Sequence, residues 1–291
     1  MTTVSCCNVA SHRNLPDLCV LFWMKRSRDR KLITNQKHIR KNILESDRIW
    51  TMAQTSALSS PLISLNEWRS VAPFIDHSLL RMDTTRDQVI RLCHEAVHYC
   101  FPTVFVHPYY VALAVSILRG TPVKVGTPIG FSLGATLTTV KRFEAHEVLR
   151  LGVGELDIVM NVAALKSGAR DFVQNDIRAI VEVTHDAGVI LKVILETPLL
   201  THEEKVVACE VSVAAGADFV KTATGLFGGA TVEDIALMRS VVGDRARVKA
   251  SGGVRTAKDL AAMVQAGADR IGTSSGVNIM RDLGAPELAQ R

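Results

Sequence analysis

Aromatic residues are scarce: phenylalanine, tryptophan and tyrosine together make up 5% of the 291 residues. No apolar run approaches the roughly 20 residues that a membrane-spanning helix needs, so no membrane segment is expected. The six cysteines form no Cys-x-x-Cys pair and no cysteine–histidine cluster with zinc spacing. Metal and dithiol redox chemistry therefore find no support, and neither a metal nor a cofactor is expected. A disulfide framework is equally unsupported in a chain this long, and a reducing cytoplasm is the expected compartment. A one-sided charge is missing as well, once the chain is divided. Residues 1–66 contain ten Lys and Arg against four Asp and Glu, whereas the remaining 225 residues carry 24 basic and 25 acidic groups. The formal charge of +5 thus belongs to the N-terminal segment. The rest gives no electrostatic case for nucleic acid.

What is present is apolar material: 47% of the residues are hydrophobic and 22% charged, enough for a sizeable core and too apolar for wholesale disorder. Residues 1–66 stand apart. They are basic over Met24–Arg30 and again over Gln36–Asn42, with apolar positions that follow no helical or strand period. Asp17, Asp29, Glu45 and Asp47 argue against a targeting peptide, and an arm for nucleic acid would want interleaved aromatics. The expectation is a poorly ordered extension over 1–66, followed by one domain over 67–291.

From about Ser64 short β-branched runs alternate with amphipathic helical stretches. Strands are predicted at Phe74–His77, Val104–His107, Val123–Gly126, Glu155–Met160, Ile190–Leu195, Asp218–Thr222, Arg247–Ala250 and Arg270–Gly272. Helical patterns fall near 85–99, 109–119, 137–151, 169–187, 202–215, 232–242, 256–266 and 274–282. Gly152, Gly188, Gly216 and Gly267 follow four of these patterns, where a helix ends in the left-handed conformation. Strict alternation demands parallel strands joined by crossover helices. Eight such units predict a (β/α)8 barrel of the TIM type. The competing open, doubly wound sheet would want a G-x-G-x-x-G after the first strand, and Asp76-His77-Ser78-Leu79-Leu80 offers none.

The C-terminal ends of barrel strands carry the chemistry. There the sequence places Asp76 at the end of the first strand, Asp157 in the fourth, and Lys192 and Glu196 in the fifth. Lys221 ends the sixth and Lys249 the seventh. Strands that enclose one another have little use for so many charges unless these are paired or neutralised. For Lys192 a buried ion pair with Asp157 and a chemical role both stay open. Lys221 and Lys249 sit on adjacent strands, where desolvation and like charge favour a neutral amine on one of them. A neutral lysine attacks a carbonyl to give a Schiff base, with Lys249 the cation that lowers the Lys221 pKa and Asp157 a proton shuttle. Simple anion binding by the two cations is the other reading. Ser251-Gly252-Gly253 after the seventh strand and Gly272-Thr273-Ser274-Ser275 after the eighth form two glycine-bearing loops. They stand where barrels hold phosphate on backbone N–H groups, although such glycines also simply make tight turns.

The segments Phe74–Leu80, Gly154–Val159, Leu191–Thr197, Gly216–Gly225 and Val248–Arg255 resemble, in order, those of the deoxyribose-phosphate aldolases, a family of class I aldolases. The likeness runs from about Val71 to Ile279. It implies that Lys221 forms the Schiff base with acetaldehyde, that Lys249 tunes it, and that Asp157 is the other proton-transfer group. It also implies contacts to the phosphorylated sugar from Asp76, Thr222, Gly225, Ser251, Gly252, Gly253, Gly272, Ser274 and Ser275. The implied reaction is reversible cleavage of 2-deoxy-D-ribose 5-phosphate to D-glyceraldehyde 3-phosphate and acetaldehyde, in a cytoplasmic enzyme for which a homodimer is allowed. Several positions depart from the family pattern. The loop after Lys221 is one residue short, Pro198 replaces a glycine and Ser132 a proline, and Phe105 and His107 replace cysteine and asparagine. The last tyrosine is Tyr110, so a tail tyrosine has no part here.

Overall fold

The computed structural model describes Leu65 and residues 67–288; the expectation for the N-terminal extension falls outside them, apart from Leu65. A short helix α1 (Trp68–Val71) leads into β1 (Ile75–Leu79), α2 (Arg86–Tyr99), β2 (Thr103–Val106), α3 (Val111–Leu118) and β3 (Lys124–Ile129). Then come α4 (Thr138–Arg150), β4 (Glu155–Val159), α5 (Val162–Lys166), α6 (Arg170–Asp186) and β5 (Ile190–Ile194). The chain continues through α7 (His202–Ala215), β6 (Phe219–Lys221), α8 (Val232–Val242), β7 (Arg247–Ser251), α9 (Ala257–Gln265), β8 (Arg270–Thr273) and α10 (Gly276–Asp282). The eight strands are parallel and close in chain order, β8 pairing back onto β1. This is the predicted barrel.

Alternation along each strand separates two interiors. Val104, Val125, Leu156, Ile158, Leu191, Val193, Val220, Val248 and Ile271 are buried in the apolar layer between the strands and the outer helices. This layer holds the barrel shut; truncating Leu156 to alanine is expected to cost about 2–5 kcal/mol. The other phase carries polar groups inward, among them Asp76, Asp157, Lys192, Lys221 and Lys249. Helix starts follow their capping residues. Thr85, Thr201 and Thr256 each accept the N–H three residues on, from Gln88, Glu204 and Asp259, whose side chains bond back to the cap. At the helix ends the four expected glycines take positive φ, from 69° to 112°. Cys100 takes the same left-handed seat after α2 with φ 58°, where no glycine announced it.

The register corrects several boundaries. β1 runs on to Leu79 because Ser78 and Leu79 pair with Phe105 and Val106, so Asp76 is the second residue of its strand and does not end it. β7 extends to Ser251, paired with Gly272, which leaves Lys249 in mid-strand. β5 stops at Ile194, and Glu196 lies beyond it. The helix α5, absent from the periodicity, starts where the Asn161 side chain accepts the Ala164 N–H at 3.0 Å. Among the described residues no helix is long and apolar enough to cross a membrane.

Candidate active site

Seven charged side chains from six strands converge inside the barrel. Asp157 of β4 is the hub. Its Oδ2 accepts from Lys221 Nζ at 2.8 Å and from Lys249 Nζ at 3.0 Å, and its Oδ1 accepts from Lys192 Nζ at 3.3 Å. Lys221 and Lys249 reach it together because they are direct partners across the β6–β7 pairing. Asp76 closes the group from β1, with Lys249 Nζ 2.5 Å from its Oδ2 and Arg270 Nη1 2.8 Å from its Oδ1. Deeper, at the strand starts, Glu155 binds Arg270 Nη2 at 3.1 Å and forms a short ion pair with Lys192. Glu155 and Arg270 were not singled out from sequence. The signal existed for Glu155, since a carboxylate two residues before Asp157 on one strand must share its inward face.

Four cations share three carboxylates here, so their protonation is uneven. Burial resists ionisation of Asp157, but the ammonium groups of Lys192, Lys221 and Lys249 outweigh it and hold the carboxyl far below the ordinary range. Asp76 is likewise lowered, with Arg270, Lys249 and Lys192 overcoming burial. Lys192 is raised: burial works against its charge, but Asp157, Glu155 and Asp76 together win. Lys249 goes the other way, pushed down to about 8 by burial, with repulsion from Lys221 and Lys192 adding to it and only Asp157 and Asp76 opposing. Lys249 is thus an amine whose charge its surroundings disfavour, although Asp157 and Asp76 both face it. Exposure separates the two lysines as well, the Lys221 side chain being 7% exposed and Lys249 1%. Lys221 faces the mouth.

Two glycines make room for this packing. A Cβ at Gly272 would stand 3.0 Å from Lys249 Cε, and one at Gly126 would lie within 2.4–2.7 Å of the Phe105 ring. Gly272, expected in a phosphate cradle, is thus needed under the Lys249 side chain. Phe105 itself is buried, its ring centroid 3.9 Å from Lys249 Nζ, 4.7 Å from Lys192 Nζ and 6.0 Å from Lys221 Nζ.

At the rim, several residues expected to meet substrate bind one another. Thr222 Oγ1 donates to Ser251 O and accepts the Ser251 N–H, both at 2.9 Å, and Ser251 Oγ donates to Ala223 O at 2.6 Å. The Ser275 N–H donates to Thr273 Oγ1 at 2.9 Å, which removes it from the expected anion donors. Gly252 and Gly253 take positive φ of 88° and 82°. A Cβ at Gly253 would meet nothing within 4 Å, whereas one at Gly252 would meet Gly229 Cα at 2.9 Å. Gly225, with φ 92°, lies against Gly252 as well. Glu196, buried and at φ 59°, accepts the Thr224 N–H at 3.1 and 3.2 Å and so ties down the loop after Lys221. Two departures from the family pattern meet in that loop: a Cβ at Gly228 would fall 2.9 Å from Pro198 Cβ and Cγ. The shortened loop therefore rests on the proline.

The sequence profile of the DeoC/LacD family aldolases matches residues 71–283. A deoxyribose-phosphate aldolase from a Geobacillus species is 53% identical over 212 residues, 72% of this chain and 95% of that protein. One from Thermococcus gammatolerans is 53% identical over 213 residues, again 72% of this chain and 95% of the relative. Among solved structures, a deoxyribose-phosphate aldolase from Coccidioides immitis superposes with a TM-score of 0.72 at 42% identity, covering 82% of this chain and 96% of its own. The tetrameric deoxyribose phosphate aldolase of Aeropyrum pernix gives a TM-score of 0.71 at 34% identity, over 75% of this chain and 92% of its own. With a profile match spanning the whole barrel and half the residues shared with such relatives, this chain belongs to the DeoC/LacD family of aldolases.

Proposed function

We propose that this barrel cleaves 2-deoxy-D-ribose 5-phosphate reversibly to acetaldehyde and D-glyceraldehyde 3-phosphate through an imine on Lys221. The observation that carries the reading is the Lys221–Asp157–Lys249 bridge at the open end of the barrel. Near neutral pH part of the Lys249 population is an amine, because its surroundings hold it at about 8. That amine takes a proton from Lys221 by way of Asp157, leaving the Lys221 nitrogen a free nucleophile. Lys221 then adds to C1 of the open-chain aldehyde, and water leaves to give a protonated imine. Removal of the C3 hydroxyl proton breaks the C2–C3 bond, and its electron pair moves into the imine. D-glyceraldehyde 3-phosphate departs. The remaining enamine is protonated at C2, and hydrolysis returns acetaldehyde and Lys221. Asp157 and Lys249 exchange the protons.

The phosphate end of the sugar is assigned to the rim, to the N–H groups of Gly252, Gly253 and Ser274 with help from the Ser274 and Ser275 hydroxyls. The catalytic domain is taken as residues 67–291, so deletion of 1–62 is expected to leave turnover within about twofold. A cytoplasmic enzyme for which a homodimer is allowed accompanies this reading, and among the described residues the thiols of Cys93, Cys100 and Cys209 are free, as a reducing compartment keeps them. The test is borohydride reduction in the presence of acetaldehyde or dihydroxyacetone phosphate, followed by mass mapping. An ethyl group on Lys221 from acetaldehyde alone is expected; an adduct on Lys192 or Lys249, or one only with the ketone, would overturn the assignment.

A further inference from the structure

The Lys249 ammonium has few places to put its charge. Asp76 meets it from β1 and Asp157 from β4, while Lys192 of β5 and Lys221 of β6 repel it. Arg270 of β8 draws on the same Asp76 carboxylate from the other side. From β2 the remaining neighbour is the face of Phe105, whose centroid is 3.9 Å from Lys249 Nζ. A ring face carries the negative end of the aromatic quadrupole and attracts a cation at this distance, most strongly where water is excluded. The fit is built in, because the ring occupies the space that a side chain at position 126 would need.

We propose that Phe105 is a positioning residue for the aldol chemistry, its ring face holding the Lys249 ammonium in the reach of Asp157. The ring does a carboxylate's work without adding a third negative charge beside Lys221. An additional anion there would pin both lysines as cations, whereas a quadrupole steadies Lys249 and leaves its proton exchangeable. The proposal rests on the reading of Lys249 as the proton-exchange partner of Lys221.

Fluorine withdraws electron density from a ring face while hardly changing its size, so graded fluorination separates the electrostatic role from packing. Mono-, di- and trifluorophenylalanine placed at position 105 supply the series. The readout is the titration of the Lys249 ε-carbon by NMR in protein made with ε-carbon-labelled lysine, the signal being assigned by its loss in Lys249→Met. The expected result is a stepwise fall of the midpoint, by about one pH unit over the series. Phe105→Leu should lower it at least as far. The pH at which acetaldehyde trapping becomes half-maximal should fall in parallel. A midpoint that stays fixed across the series and in Phe105→Leu would overturn the proposal, and continued trapping on Lys221 would then leave the aldolase reading standing. If the parent enzyme traps no acetaldehyde, the aldolase reading fails, and the NMR series still decides whether the ring holds the ammonium.

Discussion

Two groups of buried charge occupy one barrel, and they obey opposite rules. In the deep group, Lys192 is surrounded by Glu155, Asp157 and Asp76, with Arg270 completing the ring. At the mouth, Lys221 and Lys249 share Asp157 and only Lys249 gains a second carboxylate. Lys192 is held as a cation above its ordinary range and Lys249 falls to about 8. Both ammonium groups are equally dry. What differs is how many carboxylates each meets, so a buried lysine becomes structural or reactive by local stoichiometry more than by burial.

The sharpest way to break this contrast is Lys221→Ala. It should lower kcat by about 10⁴-fold or more and abolish trapping, with little change in Tm, as expected for a group that acts on substrate. Lys249→Met should lower kcat by roughly 10²–10⁴-fold and erase the rise in trapping centred near pH 8. A variant that keeps that rise would assign it to another group. Lys192→Met should act on the fold, leaving uncompensated carboxylates at a cost of about 3–5 kcal/mol, read by denaturant unfolding. Any acetaldehyde adduct in that folded variant should still map to Lys221. Loss of trapping at unchanged stability would dissolve the distinction between the groups.

The two lysines should also pull stability in opposite directions with pH. Lys249 has a folded pKa near 8 against 10.5, so between these values the unfolded chain binds more protons and stability rises with pH. The rise should be roughly 3 kcal/mol relative to Lys249→Met. Lys192 is raised above 10.5, so its contribution is complete below that value and lost as pH climbs through the folded pKa. Parallel curves for the parent and Lys249→Met would contradict the assignment. The smallest expected effects belong to the rim. Gly253→Val should raise KM for the phosphorylated sugar about 10–100-fold by blocking backbone donors, and Ser274→Ala only a few-fold. Equal discrimination between 2-deoxyribose and its 5-phosphate before and after Gly253→Val would move the phosphate elsewhere.

Much of this was legible in the sequence. Alternating periods and helix-ending glycines announced the barrel, and Lys221, Lys249 and Asp157, singled out on their strands, do meet in one cluster. Register was not legible, because strand ends depend on which neighbour offers a free N–H or C=O. Hence β1 and β7 run further than expected, and Asp76 and Lys249 lie deeper in their strands. The lowered pKa of Lys249 was hidden for the same reason: its burial is complete only once the barrel closes around it. Thr222 and Ser251 looked like substrate ligands by position, yet their hydroxyls meet backbone groups that only the closed barrel brings near. Arg270 opens its strand in a phase that carries it inward beneath Asp76, a placement its neighbours in sequence do not reveal.

Pro198 and Gly228 carry a lesson for transplanting parts between aldolases. Their contact makes the fifth and sixth strand ends a matched pair of fittings. A longer loop grafted after Lys221 would arrive with no seat cut for it, and a glycine at 198 alone would leave the native loop unsupported. Each exchange by itself should therefore harm the enzyme more than both together, a sign reversal that a double-mutant cycle reads directly. Inheritance at this rim runs by pairs.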